Sequence, residues 1–252
     1  MKKTYQNDSK KGFTLVELSI VLVIIGLLIG GILAAQSMIT TTKIQAFVRQ
    51  IGQFDAAVGT FQDKFNGVPG DSNAVGGAGD NDMMVEDSGG ATLNYDEELP
   101  DVWQNLSAAG LKNENGPAYS GSDNDFDLDG ADPDLPKAKI GNGVGFMLAY
   151  DDSATAADSG HFYYVADFST SDATSINWAV AFSGNDAIAI DGKMDNGGSD
   201  SGLVYADDAA EADDAKGLEE LNDAACPATY TAGTNPTYVL RIRVGASSGD
   251  LI

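Results

Sequence analysis

Apolar residues follow three successive patterns along this chain. From 13 to 35 almost every position is apolar (FTLVELSIVLVIIGLLIGGILAA), and Glu17 is the only charge. As a helix rising 1.5 Å per residue, such a run covers the ~30 Å hydrocarbon core of a bilayer. Further on, Ile44, Phe47, Val48, Ile51, Phe54, Val58, Phe61 and Phe65 recur at steps of three and four. That is a single helical stripe suited to lie on a globular surface. Gln45, Arg49, Gln53, Asp55, Gln62 and Asp63 mostly take the other faces. One helix over 13–65 is therefore expected, about 80 Å long at that rise. Asn66-Gly67 and Val68-Pro69-Gly70 stop it, with Gly67 suited to the left-handed position past the last turn.

The third pattern begins at residue 66. Runs of aromatic and β-branched residues bounded by Gly, Ser or Asp read as strands at 144–150, 161–168, 176–182 and 238–244. The segment 96–112 reads as a short helix with Val102, Trp103, Leu106 and Ala109 on one side. Another helix is expected over 185–196, with Asn185 as its N-cap and Gly197 past its end. A long helix followed by an antiparallel sheet is an α+β arrangement. The division expected is a leader at 1–12, a helix at 13–65 whose 13–35 part spans a membrane, and a globular head at 66–252.

Charge sharpens this division. The 252 residues carry a formal −24, yet Lys2, Lys3, Lys10 and Lys11 precede residue 12 with only Asp8 against them. The remainder holds 10 of 14 basic and 37 of 38 acidic residues, a net −27. Such a surface repels nucleic acid and anionic headgroups and attracts divalent cations and basic partners. The basic leader stays cytoplasmic and the head is exported. Cys226 is the only cysteine, which excludes a disulfide within the chain. His161 is the only histidine and has no Ser or Cys motif around it; no phosphate loop or His/Cys metal cluster is present either. The sequence does not read as an enzyme.

Three readings compete for the apolar run. A secretory signal has an apolar region of about 7–15 residues, and residues 33–35 make a poor cleavage site. A plain anchor fits the length and leaves Glu17 and the Lys-Gly-Phe junction without a purpose. If the Gly12–Phe13 bond is cut, Phe13 gains an α-ammonium at the start of the apolar helix. Glu17, four residues away or on a neighbouring subunit, neutralises it; two charges too costly alone in the membrane are tolerable as a pair.

The run Lys10-Lys11-Gly12-Phe13-Thr14-Leu15-Val16-Glu17-Leu18, followed by apolar residues, resembles the leader junction of type IV pilins and type II secretion pseudopilins. The resemblance implies cleavage after Gly12 by a prepilin peptidase and N-methylation of Phe13. It also implies pairing of Glu17 with the Phe13 amine of an adjacent subunit. An assembly ATPase and an inner-membrane platform protein would build the homo- or hetero-polymer. The precursor would sit in the bacterial inner membrane before becoming a periplasmic or cell-surface filament. Segments 61–71, 103–111 and 190–197 also resemble a subgroup of prepilin-domain proteins. One departure is the absence of a helix-kinking proline over 30–35, where Gly30 and Gly31 stand.

The pattern Asp125-Phe-Asp127-Leu-Asp129-Gly130 matches the first half of a calcium loop, in which alternate carboxylates converge and Gly permits the turn. The second half departs from it: the twelfth position is Pro136 where a bidentate Glu is needed. Calcium is thus the one candidate ion, a solvated acidic loop is the alternative, and no cofactor is expected to be required. Asp80, Asp82, Glu86, Asp87, Asp207, Asp208, Asp213 and Asp214 read as solvated faces. Asp191 and Asp195 read as capping or packing groups near 197–202. The rival function is a membrane-tethered exported acidic binding module that forms no filament.

Overall fold

The computed structural model describes residues 13–77, 79–86, 98–111, 135–141, 143–151, 159–168, 179–199, 202–208, 229–233 and 235–245. Helix α1 (Leu15–Phe65) runs unbroken for 51 residues. No proline interrupts it, and Gly26, Gly30, Gly31 and Gly59, four of its five glycines, meet no neighbouring atom where a side chain would begin. The chain divides into two compact units, Met1–Thr42 and Lys43–Ile252.

In the first unit the large apolar side chains from Phe13 to Ile39 are all exposed. Among the described residues nothing covers them. Helix α1 is the one described helix long and apolar enough to cross a membrane.

In the second unit the expected stripe is the core. Ile44, Phe47, Ile51, Phe54, Val58 and Phe61 are buried, while Val48 and Phe65 are only partly covered. Burial of side chains this size contributes about 1.5–3 kcal/mol each. Phe54 stands at the centre: its ring lies 4.8 Å from Trp103, 5.1 Å from Phe146 and 6.1 Å from Tyr163. Two polar residues of α1 tie it to distant loops. Gln50 donates to the Lys137 carbonyl at 2.7 Å and accepts from Lys139 N at 2.8 Å. Asp55, expected on an outer face, is buried and accepts from Gly245 N at 2.9 Å.

Past α1 the left-handed residue is Asn66 (φ 54°), not Gly67. Asn tolerates this conformation, and Gly67 instead lies close against the following loop, where a Cβ would come 3.1 Å from that of Ser72. Helix α2 (Asp101–Ala108) buries Val102, Trp103 and Leu106 as its spacing predicts. Strands β1 (Val144–Asp151) and β2 (Gly160–Asp167) pair antiparallel along their full lengths. Strand β3 is only Phe182–Ser183, because Ser183 turns the chain into helix α3 (Gly184–Met194). The expected strand at 176–182 therefore keeps Phe182 and a single bridge at Ala179, and 169–178 lie outside the described residues. Strand β4 (Val204–Asp208), not anticipated, pairs with β5 (Pro236–Arg243). β5 is the hub of an antiparallel sheet ordered β1-β2-β5-β3, with β4 also on β5. The α+β class holds.

Across β2 and β5, Tyr164 stands opposite Arg241. The Arg241 guanidinium pairs with the Asp151 carboxylate, and both groups are buried. Tyr164 donates its hydroxyl to the same carboxylate at 3.3 Å. The guanidinium also lies 4.8 Å from the ring centres of Phe162 and Tyr205, which makes it a clamp between strands rather than a surface charge.

Candidate functional site

Thr14 directly precedes α1, and Glu17 is the third residue of that helix. The Thr14 hydroxyl oxygen accepts from Glu17 N at 3.3 Å. Glu17 Oε2 in turn accepts from Thr14 N at 2.9 Å and from the Thr14 hydroxyl at 2.8 Å. This reciprocal arrangement is a capping box, which satisfies two of the donors every helix start leaves open. The carboxylate also meets the positive end of the helix dipole. Sequence reasoning fixed on the charge of Glu17 and missed Thr14, although the Thr-x-x-Glu spacing was the signal. Phe13 is 93% exposed beside this box. Gly12 lies outside the described residues.

A second acidic arrangement lies in the head. Asp71 is fully buried and organises the loop after the first helix. Its Oδ1 accepts from Asn81 N at 2.6 Å and Asp82 N at 3.2 Å, and its Oδ2 from Met83 N at 2.8 Å. Glu98 accepts from Asp80 N at 3.1 Å and Glu86 N at 3.2 Å. Gly79 is required where the loop closes, since a Cβ there would fall 1.6 Å from the Asp71 carbonyl. One carboxylate oxygen from each of Asp71, Asp80 and Glu98 lies within 4.8 Å of the others, the described group that could share a cation. Each of the three already accepts backbone N–H groups, so its evident work is to hold the loop. Burial pushes the Glu98 carboxyl up to about 7, opposed by the Glu86 and Asp80 N–H groups and reinforced by the charges of Asp71 and Asp80. Asp80, Asp82 and Glu86 are exposed, as expected of solvated residues.

Asp191 and Asp195 serve as capping groups. Asp191 accepts from Gly197 N at 2.9 Å and from the Tyr230 hydroxyl at 2.7 Å, and Asp195 accepts from Leu203 N. The N-cap of α3 is Ser183, whose hydroxyl accepts from Asp186 N at 3.2 Å; Asn185 lies one residue inside the helix. His161 is buried, stacks edge-on against Tyr150 and finds no hydrogen-bond partner for Nε2 among the described residues. Burial drives its pKa down to about 4, with Asp82 acting the other way, so the imidazole is neutral. The calcium candidates Asp125, Asp127 and Asp129 lie outside the described residues, as do Cys226, Asp87, Asp213 and Asp214.

Residues 7–33 match the family model described as the prokaryotic N-terminal methylation motif. The match covers the leader junction and the first part of α1 and none of the head. No curated protein and no solved structure matches the chain.

Proposed function

We propose that this chain, which carries the type IV pilin and pseudopilin signature in residues 7–33, is a structural subunit of a type IV pilus-like or type II secretion pseudopilus filament. The motif marks a substrate of prepilin peptidase and a structural protein rather than an enzyme. In this reading the peptidase cuts after Gly12 and Phe13 is N-methylated. An assembly ATPase and an inner-membrane platform protein then draw subunits from the inner membrane into a homo- or hetero-polymer.

The observation that carries the reading is a helix start where Glu17, the only charge in 13–35, is held one turn from Phe13. A lone carboxylate in hydrocarbon costs about 3 kcal/mol on insertion scales. Cleavage places an ammonium on Phe13, beside the Thr14 N–H that Glu17 already binds. The carboxylate then serves its own helix or the amine of a neighbour, and the second choice fixes the stagger between subunits. The exposed apolar side chains from Phe13 to Ile39 need lipid before assembly and other helices after it.

Mass spectrometry of the mature chain tests this. An N-methylated Phe13 at the start is the expected result. An intact Met1, or a start after residue 35, rejects the reading in favour of a tethered binding module.

A further inference from the structure

Two features of the head remain unused by the reading above. The first is a groove between α1 and α3 of about 290 Å³, lined by Gln45, Val48, Arg49 and Lys193. Two cations there flank an apolar floor, on a chain with only 10 basic residues against 37 acidic ones after residue 12. The second feature is Met83, 48% exposed at the tip of the 80–86 loop and flanked by the exposed Asp80, Asp82 and Glu86. The Asp71 carboxylate grips Met83 N, so this apolar side chain is presented outward from a braced loop.

We infer that the groove receives the 80–86 loop of a second copy of this chain, with Met83 on Val48 and the loop carboxylates against Arg49 and Lys193. The inference rests on the filament reading. Heads with a net charge near −27 repel one another at separations within the Debye length of about 8 Å. Neighbouring copies approach closely only where scarce cations on one face carboxylates on the other. Such pairing chiefly sets register and excludes wrong partners. A flexible thioether on a Val floor supplies the apolar contact at its centre. An anionic lipid headgroup would satisfy the two cations but leave the matched apolar pair unused.

The placement of the two patches suits a growing polymer. Gln50, next to Arg49 on α1, holds the Lys137–Lys139 segment, and Ala138 N bonds to Val144 O at the start of β1. The loop is anchored at the other end of that strand, where Tyr150 N bonds to Val85 O at 2.7 Å. Six residues of strand separate these levels, about 20 Å. Donor and acceptor are therefore different surfaces, and contacts of that kind propagate into open helical arrays unless their rotation closes a ring.

A cysteine pair tests the contact in assembled filaments of the full-length protein. Val48→Cys and Met83→Cys are combined with Cys226→Ser, and sheared filaments are oxidised and run on a non-reducing gel. A ladder of multimers, absent from each single-cysteine parent, is expected; the two sites lie too far apart in one head to bridge internally. A second arm reverses charge. Arg49→Glu with Lys193→Glu should lower filament yield by about tenfold, a loss of ~1.4 kcal/mol per contact. Adding Asp82→Lys and Glu86→Lys, which leaves the Asp71, Asp80 and Glu98 carboxylates in place, should restore it. Filaments that assemble without the ladder, or failed rescue with a stable and normally cleaved precursor, overturn the docking alone. So does a Val48→Cys thiol that links to a different protein, or that phosphatidylglycerol vesicles shield from maleimide. If the unmodified chain forms no filaments at all, the reading of the chain as a filament subunit fails, and the docking with it.

Discussion

Leu27 and Phe61 belong to the same helix, yet the first is 73% exposed and the second is fully buried. The difference runs through both units. Before residue 42 apolar side chains surround the helix on every side, and none of the described residues covers them. After residue 43 they are confined to one stripe, and the sheet and α2 cover that stripe. Apolar area left in water forgoes about 25 cal/mol per Å². The first unit is therefore completed by its surroundings, and the second completes itself. Changes in the first should alter membrane residence and assembly without touching head folding, and changes in the second should do the reverse.

The sharpest break would come at Glu17. Glu17→Ala should leave cleavage after Gly12 and head stability unchanged, and lower filament yield about a hundredfold, because an unpaired buried ammonium costs ~3 kcal/mol or more. Quantifying sheared filaments beside the processed band on a gel checks both halves. Wild-type yield from that variant would remove the charge pair from the account. The counterpart in the head is Asp151→Ala, which removes the carboxylate paired with the buried Arg241 guanidinium between Phe162 and Tyr205. Its expected cost is about 3–5 kcal/mol in urea unfolding, with leader cleavage unaffected.

How much of this was legible depends on how locally each feature is encoded. The 3–4 spacing of Ile44 to Phe61 and the aromatic runs of β1, β2 and β5 carry their own signal, and those elements lie where expected. Strand β4 was hidden because Asp207 and Asp208 read as solvent-facing; its pairing with β5 is a tertiary fact. Asp55 fails in the same way, since a buried carboxylate looks like any other until the N–H group that binds it is in place. Asn66 and Ser183 displaced Gly67 and Asn185 by one or two positions, which is how far local turn chemistry alone resolves an end. At the N-terminus the charge of Glu17 was legible and so was its turn-length spacing to Phe13. The Thr14–Glu17 box was equally local and was overlooked.

A smaller effect distinguishes the head by its pH response. His161 has a folded pKa of about 4 against an ordinary 6.5, so its contribution is intact above 6.5 and is lost as pH falls toward 4. Glu98 has the opposite sign. Raised to about 7 from 4.5, it favours folding below 4.5 and loses that contribution as pH rises through 7. The two oppose each other over the middle of this range. His161→Phe keeps an aromatic ring against Tyr150 and removes the acid-side loss, so the variant should gain about 2–3 kcal/mol relative to wild type between pH 7 and pH 4. Urea titrations at the two pH values measure it, and parallel behaviour of the two proteins would show that the imidazole is not buried neutral.

The smallest effect compares two caps of the same chemistry. Thr14 caps α1 in the first unit, and Ser183 caps α3 in the second. Each hydroxyl accepts a backbone N–H of the first turn, and each is bonded to an acidic residue three positions on, Glu17 or Asp186. By local chemistry alone, replacing either with Ala costs about 1 kcal/mol of helix stability. The consequences should nevertheless differ. Ser183 joins β3 to α3, and Ala187 and Ile190 of that helix lie in the core, so Ser183→Ala should lower head stability by the full ~1 kcal/mol. Thr14 caps a helix start that no described part of the head packs against, so Thr14→Ala should leave the unfolding midpoint of the head where it was. Equal shifts from the two variants would mean that α1 unfolds as one piece from Leu15 to Phe65, and that the two units are coupled rather than separate.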